Sequence, residues 1–178
     1  MTLGATTMTL RPLASGDIDA VQRLDVIAHG ESWSTRLMKD QISEACFDHR
    51  VAVAAGQVVG HAATWKREST MMVTTVAVDE SATGLGIATR LLLALLHEVD
   101  AAVGSVRLEV RPSNRRAQRL YGRFGFAPIG CQRGFYRRCD DTGSRDALVM
   151  VVAHPHDDVW RQRLASIHAN LEETGAAA

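Results

Sequence analysis

Between Val106 and Tyr121 the chain changes its hydrophobic period abruptly, and that change limits the architectures open to it. Val106, Leu108 and Val110 alternate with Arg107, Glu109 and Arg111. The segment therefore reads as a strand with one apolar face and one face carrying a carboxylate. Pro112 interrupts it, and Ser113 and Asn114 behind the proline can cap a helix. In that helix Asn114, Gln118 and Tyr121 fall near one side, because positions four and seven apart share a face. A carboxylate and a phenol could then meet in one cleft. Two plainer readings stand beside this one: Glu109 pairs with Arg107 or Arg111, and Tyr121 joins Leu120 and Phe124 in the core. Spacing alone does not separate them.

A second strand-to-helix passage lies upstream. The run Met71 to Val78 is followed by Asp79-Glu80-Ser81-Ala82-Thr83-Gly84-Leu85-Gly86-Ile87-Ala88, and then by a mostly apolar run from Leu91 to Val99. Gly84, Gly86 and Ala88 let a ligand approach the backbone, and the unpaired amides of a first helical turn attract anions. The loop lacks the third glycine of a dinucleotide fingerprint and the Gly-Lys-Ser/Thr ending of a P-loop. Alone it reads equally as a tight connection with no ligand.

Taken together and in this order, the two passages resemble the GNAT superfamily of acetyl-CoA-dependent N-acetyltransferases. Thr83-Gly84-Leu85-Gly86-Ile87-Ala88 is similar to its Gln/Arg-x-x-Gly-x-Gly/Ala loop, with Thr83 in place of the longer polar residue. Within the superfamily the chain looks like the RimI-like enzymes that acetylate the N-terminal alanine of a small-subunit ribosomal protein. Three segments carry that likeness. They are Ala28-His29 with Trp33-Ser34, Leu108-Glu109-Val110-Arg111 with Ser113-Asn114 and Leu120-Tyr121, and Gly125-Phe126 followed by Arg133 to Tyr136 and Asp146 to Met150.

The resemblance implies a single domain over residues 7–153, an α/β fold in which a central mixed, twisted sheet is flanked by helices. It implies acetyl-CoA as acetyl donor and direct transfer to an amine, with Glu109 as general base and Tyr121 as general acid. Val76, Ala77 and Val78 would offer backbone groups to the pantetheine arm. The loop Thr83, Gly84, Leu85, Gly86, Ile87 and Ala88 would face the pyrophosphate, and Asn114 and Tyr121 would also contact the cofactor. Trp33, Phe135 and Tyr136, with Glu31, would border the acceptor. Glu31 and Ser32 stand where the resembled enzymes carry hydrophobic and proline-like residues, and an added carboxylate favours a cationic acceptor.

Three functions are therefore open to such a chain. The first is acetylation of a protein N-terminus, with a ribosomal protein as one such substrate. The second is acetylation of a lysine side chain or a small cationic amine such as a polyamine or amino-sugar. The third is a non-catalytic acetyl-CoA sensor.

The rest of the chain narrows the setting. A formal net charge of zero gives no global attraction to nucleic acid or an anionic membrane. Three cysteines without Cys-x-x-Cys spacing fit a reducing compartment. With no stretch of membrane-span or signal-peptide length, a cytoplasmic protein is expected, as a monomer or weak homodimer. A coarse reading gives a strand near Met8 to Pro12, helices at about Ser15 to Ile27 and from Ser34 towards Cys46, and strands from Arg50 to Ala55 and Val58 to Lys66. Beyond Pro155, the stripe Trp160, Leu164, Ile167 and Leu171 predicts an added amphipathic helix within an extension over residues 154–178. His154 and His156 beside Asp157 and Asp158 show no more distant metal ligand, and no metal is expected.

Overall fold

The computed structural model describes residues 8–30, 32–97 and 99–176. Thr7, where the domain is expected to begin, Glu31, an expected acceptor contact, and Ala178, the end of the expected extension, lie outside the described residues.

Seven strands form one sheet. They are β1 (Thr9–Pro12), β2 (Phe47–Ala54), β3 (Gln57–Arg67), β4 (Thr70–Val78), β5 (Ser105–Val110), β6 (Ala127–Gln132) and β7 (Ala147–Val152), in the spatial order β1-β2-β3-β4-β5-β7-β6. Every neighbouring pair is antiparallel except β4 with β5. A parallel pair needs a crossover, and α3 (Ile87–Leu96) supplies it. The other α-helices are α1 (Ile18–His29), α2 (Thr35–Ser43), α4 (Arg115–Arg123) and α5 (Asp158–Ala176).

Strand alternation sorts the helices between two layers. Val51 packs with Ile18, Val21 and Met38 of α1 and α2 on one face, whereas Ala52 packs with Ile87 and Leu91 of α3 on the other. Val106, Leu108 and Val110 join Leu92, Tyr121, Phe124 and Trp160 in the larger core of that second face. The close approach of α3 to β3 requires Gly60, because a Cβ there would sit 2.8 Å from Ile87 Cγ2 and 3.1 Å from Leu91 Cδ1.

Helix α5 is part of this packing. Trp160, Leu164 and Ile167 are buried in the second-face core, and Trp160 Nε1 donates to Phe124 O at 2.8 Å. Burying side chains of this kind stabilises the helix by roughly 1.5–3 kcal/mol each. No helix among the described residues is long and apolar enough to cross a membrane.

Some boundaries differ from the sequence expectation. α2 stops at Ser43, whose hydroxyl bonds back to Lys39 O and Asp40 O, both at 3.1 Å. β2 begins at Phe47 instead of Arg50, because Phe47 pairs with Trp65 and their rings stack at 6.1 Å. α3 ends at Leu96, short of Val99, and Asp100 accepts from Ala102 N–H in the turn that returns to β5. His156 Nε2, from the segment with a superficial metal pattern, donates to Val103 O at 2.9 Å.

Candidate active site

β4 and β5 pair for four rungs only, from Thr70 opposite Ser105 to Val73 opposite Leu108. Beyond them β4 stays with β3 as far as Val78 opposite Gly60, and β5 stays with β7 as far as Val110 opposite Leu148. The strands fork. A bulge accompanies the fork, since Thr75 faces Ala63 while Val73 faces Thr64, leaving Thr74 as the extra residue. Such an insertion bends a strand and increases its twist. From Val76 to Val78, the edge of β4 turned towards β5 has no strand pairing.

Alternation then assigns the two faces of the fork. Val76 and Val78 pack on the α3 side, together with Met71 and Val73. Thr75 turns to the opposite side, where its hydroxyl donates to Asp25 of α1. On β5, Leu108 is buried against α3 and α4, so Glu109, Arg107 and Arg111 belong to the α1 side.

On the α3 side lies a cavity of about 590 Å³. Val76 and Val78 form its floor, Thr83, Gly84, Gly86, Ile87 and Ala88 one wall, and Asn114, Ala117, Leu120 and Tyr121 of α4 the other. The loop is built for close approach. Asp79 accepts from Ser81 N–H at 2.9 Å to make a short turn, and Gly84 (φ +90°) and Gly86 (φ +72°) occupy left-handed backbone. The first α3 bond within the helix runs from Arg90 N to Gly86 O, so the amides just before it make no bond of that type. These orphan donors, with the glycines beside them, fit a diphosphate.

Two residues expected at the cofactor do not line the cavity. Ala77 is buried on the other sheet face, and the Leu85 side chain is exposed, its carbonyl accepting from Arg90 Nη1 at 2.8 Å. Arg116, Arg119 and Arg123 of α4, from the arginine cluster between Arg107 and Arg138 in which some members are expected to help hold an anionic cofactor, also line the cavity. Their i, i+3, i+7 spacing was the available signal, since it places them on one helix face.

Asn114 caps α4 through Oδ1, which accepts from Ala117 N–H at 3.0 Å. Gln118 turns away from the cavity and donates to Arg111 O and Pro112 O, fixing the corner between strand and helix. Tyr121 is both core and cavity wall. It is buried edge-on to Phe126 at 6.0 Å, and burial followed by the nearby Tyr136 pushes its phenol well above the usual range. It is therefore held protonated.

Glu109 is nearly buried, its side chain 6% exposed, and Oε1 accepts from Arg107 Nε at 2.8 Å. The plain pairing reading for Glu109 is thus realised, and it leaves the residue on the α1 side of the fork outside the cavity wall. Tyr136 is within electrostatic range of both expected proton-transfer groups. Burial pushes its phenol up to about 12, with the Arg111 guanidinium opposing and the Glu109 charge adding to the rise. The ring lies under Arg111 Cζ at 3.9 Å.

The other acceptor residues sit on two loops. Trp33, half-exposed, meets Phe47 edge-on at 6.4 Å, and its carbonyl accepts from Gln22 Nε2 at 2.7 Å. Phe135 is exposed and meets Tyr136 edge-on at 5.0 Å. The loops approach one another: Arg111 Nη2 donates to Arg138 O at 3.0 Å, and Arg138 Cδ lies 3.6 Å from where a Cβ on Gly30, at the end of α1, would be.

Comparison with known proteins gives a consistent family. The family described as Acetyltransferase (GNAT) family matches residues 18–126. The chain is 28% identical over 151 residues to the putative [ribosomal protein bS18]-alanine N-acetyltransferase of Bacillus subtilis, covering 83% of this chain and 96% of that protein. It is 29% identical over 143 residues to the N-alpha-acetyltransferase RimI of Mycobacterium tuberculosis, covering 77% and 89%. Among solved structures, the fold is similar to that of the ribosomal-protein-S18-alanine N-acetyltransferase from Escherichia coli, with a TM-score of 0.72 at 24% identity over 85% of this chain and 97% of the other.

Proposed function

The chain belongs to the acetyltransferase (GNAT) family and is an acetyl-CoA-dependent N-acetyltransferase, and on that premise we propose that its acceptor is the α-amine of a protein N-terminus. The observation that carries this reading is the approach of Arg138 Cδ to the end of α1, 3.6 Å from where a Cβ on Gly30 would lie, which brings the loop bearing Tyr136 close to the loop bearing Trp33. A cleft walled on both sides admits an extended chain end more readily than the middle of a folded surface. The names of the Bacillus and Mycobacterium relatives support the same substrate class, with a ribosomal protein as one member.

When bound, acetyl-CoA supplies a thioester whose carbonyl carbon is open to attack by an amine. The residues of this chain do the remainder. Orphan amides of the loop from Gly84 to Ala88, with Arg116, Arg119 and Arg123, would hold the diphosphate and phosphate. A backbone N–H near Val76, on the unpaired edge of β4, polarises the thioester carbonyl. Glu109 takes a proton from the ammonium, directly or through water, and frees the nitrogen lone pair. An α-amine, with a pKa of about 7.7–8.0, gives up that proton far more readily than lysine at about 10.4. Tyr121, held protonated by burial, donates to the departing sulfur. No acyl-enzyme forms, so no nucleophilic side chain is needed.

The lysine and polyamine reading rested on Glu31, which lies outside the described residues. A cytoplasmic setting belongs to the same proposal, supported by the free thiols of Cys46, Cys131 and Cys139.

The test is acetyl transfer to paired peptides read by mass spectrometry. One peptide has a free N-terminus and no lysine, and the other is blocked at the N-terminus and carries an internal lysine. Acetyl on the free N-terminus supports the proposal, and acetyl on lysine alone overturns it.

A further inference from the structure

The glycine loop that walls the cavity is held from outside it. Arg90, in the first turn of α3, folds back so that Nη1 donates to Leu85 O at 2.8 Å, while Nη2 donates to Leu171 O of α5 at 3.4 Å. Its guanidinium lies against Gly86, where a Cβ would sit 2.8 Å from Arg90 Nη1 and 3.2 Å from Leu171 Cδ2. One side chain thus joins the loop, the start of α3 and the far end of α5. Arg90 and Leu171 line a second cavity, of about 680 Å³, between α3 and α5. Neither lines the cavity bordered by Gly84, Gly86 and Tyr121.

The chemistry of the side chain fits this double contact. A guanidinium presents its donors in a rigid planar fork and keeps its charge, so it can hold two carbonyls at a fixed separation. A lysine ammonium is a single point of charge on a flexible stem. Leu171 stands near the C-terminal end of α5, where helix carbonyls attract a cation.

The consequence lies in the peptide between Leu85 and Gly86. In a planar trans peptide the C=O and N–H point in opposite directions. With Leu85 O drawn to Arg90 on the outer side, Gly86 N–H is turned towards the cavity that Gly86 lines. That N–H has no backbone partner among the described residues. The same peptide is free to turn over, because Gly84 at φ +90° and Gly86 at φ +72° flank Leu85 and glycine takes either sign of φ readily. Reversal would aim Leu85 O at the cavity, and a carbonyl oxygen repels a phosphate. The bond from Arg90 opposes that reversal.

We propose that Arg90 is a positioning residue for the cofactor: backed by the end of α5, it fixes the Leu85–Gly86 peptide with its N–H turned to the diphosphate of acetyl-CoA. The guanidinium stays on the outer side of the loop and touches no part of the cofactor. α5 thereby serves cofactor binding as well as the core. The proposal rests on the loop from Gly84 to Ala88 as the diphosphate site and is independent of which amine is acetylated.

Two acetyl donors test it: acetyl-CoA, and S-acetylpantetheine, which carries the same thioester and arm without the diphosphate. Each is assayed with whichever amine the wild type acetylates, so failure of the N-terminal reading leaves the test intact. Arg90→Met is expected to raise KM for acetyl-CoA about tenfold, the equivalent of one charge-assisted hydrogen bond, with kcat unchanged. KM for S-acetylpantetheine should stay at the wild-type value, which also shows the variant to be folded with its transfer site intact. Arg90→Lys keeps the charge but loses the fork, and its KM for acetyl-CoA should remain above wild type. Leu171→Ala loosens the α5 side of the contact, and should raise that KM to a smaller extent and add little to Arg90→Met, because both act through one contact. An unchanged KM for acetyl-CoA in Arg90→Met, or an equal rise for both donors, would overturn the proposal. Full recovery in Arg90→Lys would also overturn it, since charge alone would then suffice. Equal KM values for the two donors in the wild type would show that the loop is not the diphosphate site, and the proposal would fall with that reading.

Discussion

Replacing His49 with Phe should flatten the acid limb of the stability curve. His49 is 7% exposed, stacked on His61, and its Nε2 has no hydrogen-bond partner among the described residues. Burial, with His61 adding repulsion, pushes its imidazole down from 6.5 to about 4, against smaller opposing effects of Asp48 and Asp25. Because the folded value lies below the unfolded one, the unfolded chain binds the proton first as pH falls. Native stability is whole above about pH 6.5, declines by at most about 1.4 kcal/mol per pH unit between 6.5 and 4, and stops declining below 4. The full interval corresponds to about 3 kcal/mol, trimmed to about 2 kcal/mol where solvent reaches the ring edge. Phe keeps a ring between Phe47 and His61 and removes the titrating nitrogen. Urea midpoints from pH 4.5 to 7.5 measure the difference, and the wild type should lose about 2 kcal/mol more than His49→Phe across that span. A constant offset reflects the partner lost by His61. Parallel curves for the two proteins would refute the reasoning, because His49 would then carry no differential protonation.

Other substitutions probe the fork and the helix behind it. Glu109→Gln should lower kcat by about 100-fold, most severely at low pH, while calorimetry finds acetyl-CoA affinity unchanged; an unaltered pH–rate profile would leave Glu109 a structural partner of Arg107. Tyr121→Phe keeps the contact with Phe126, so thermal unfolding should shift by less than about 1.5 kcal/mol while turnover falls at least about tenfold. Gly86→Ala places a Cβ 2.8 Å from Arg90 Nη1 at φ +72°. It should cost roughly 1–2 kcal/mol of stability and weaken acetyl-CoA binding, measured by unfolding and titration calorimetry. Trp160→Ala removes a buried ring and its bond to Phe124 O, and unfolding should register a loss of about 3–5 kcal/mol.

Much of the frame was legible because its causes are local. The alternation at Val106, Leu108 and Val110 gave β5 and the face on which Glu109 stands; Asn114 capped α4 where its position after Pro112 required; and the stripe Trp160, Leu164, Ile167 predicted α5. Gly84 and Gly86 marked the backbone turn that opens α3. Each of these depends on residues within a turn or two of one another, which a one-dimensional pattern records.

What only the tertiary structure decided depends on register and on layers meeting. Four rungs between β4 and β5, with Thr74 extruded as a bulge, create the fork, and no residue in either strand announces where pairing stops. The same limit hid the contact that Arg90 makes with Leu85 O and Leu171 O. Arg90 and Leu171 lie 81 residues apart and sit on different helices. Periodicity fixes which face of an element a side chain takes, because that follows from local backbone geometry. Which side chains meet on that face is set by strand register and helix packing, and these are properties of the assembled layers.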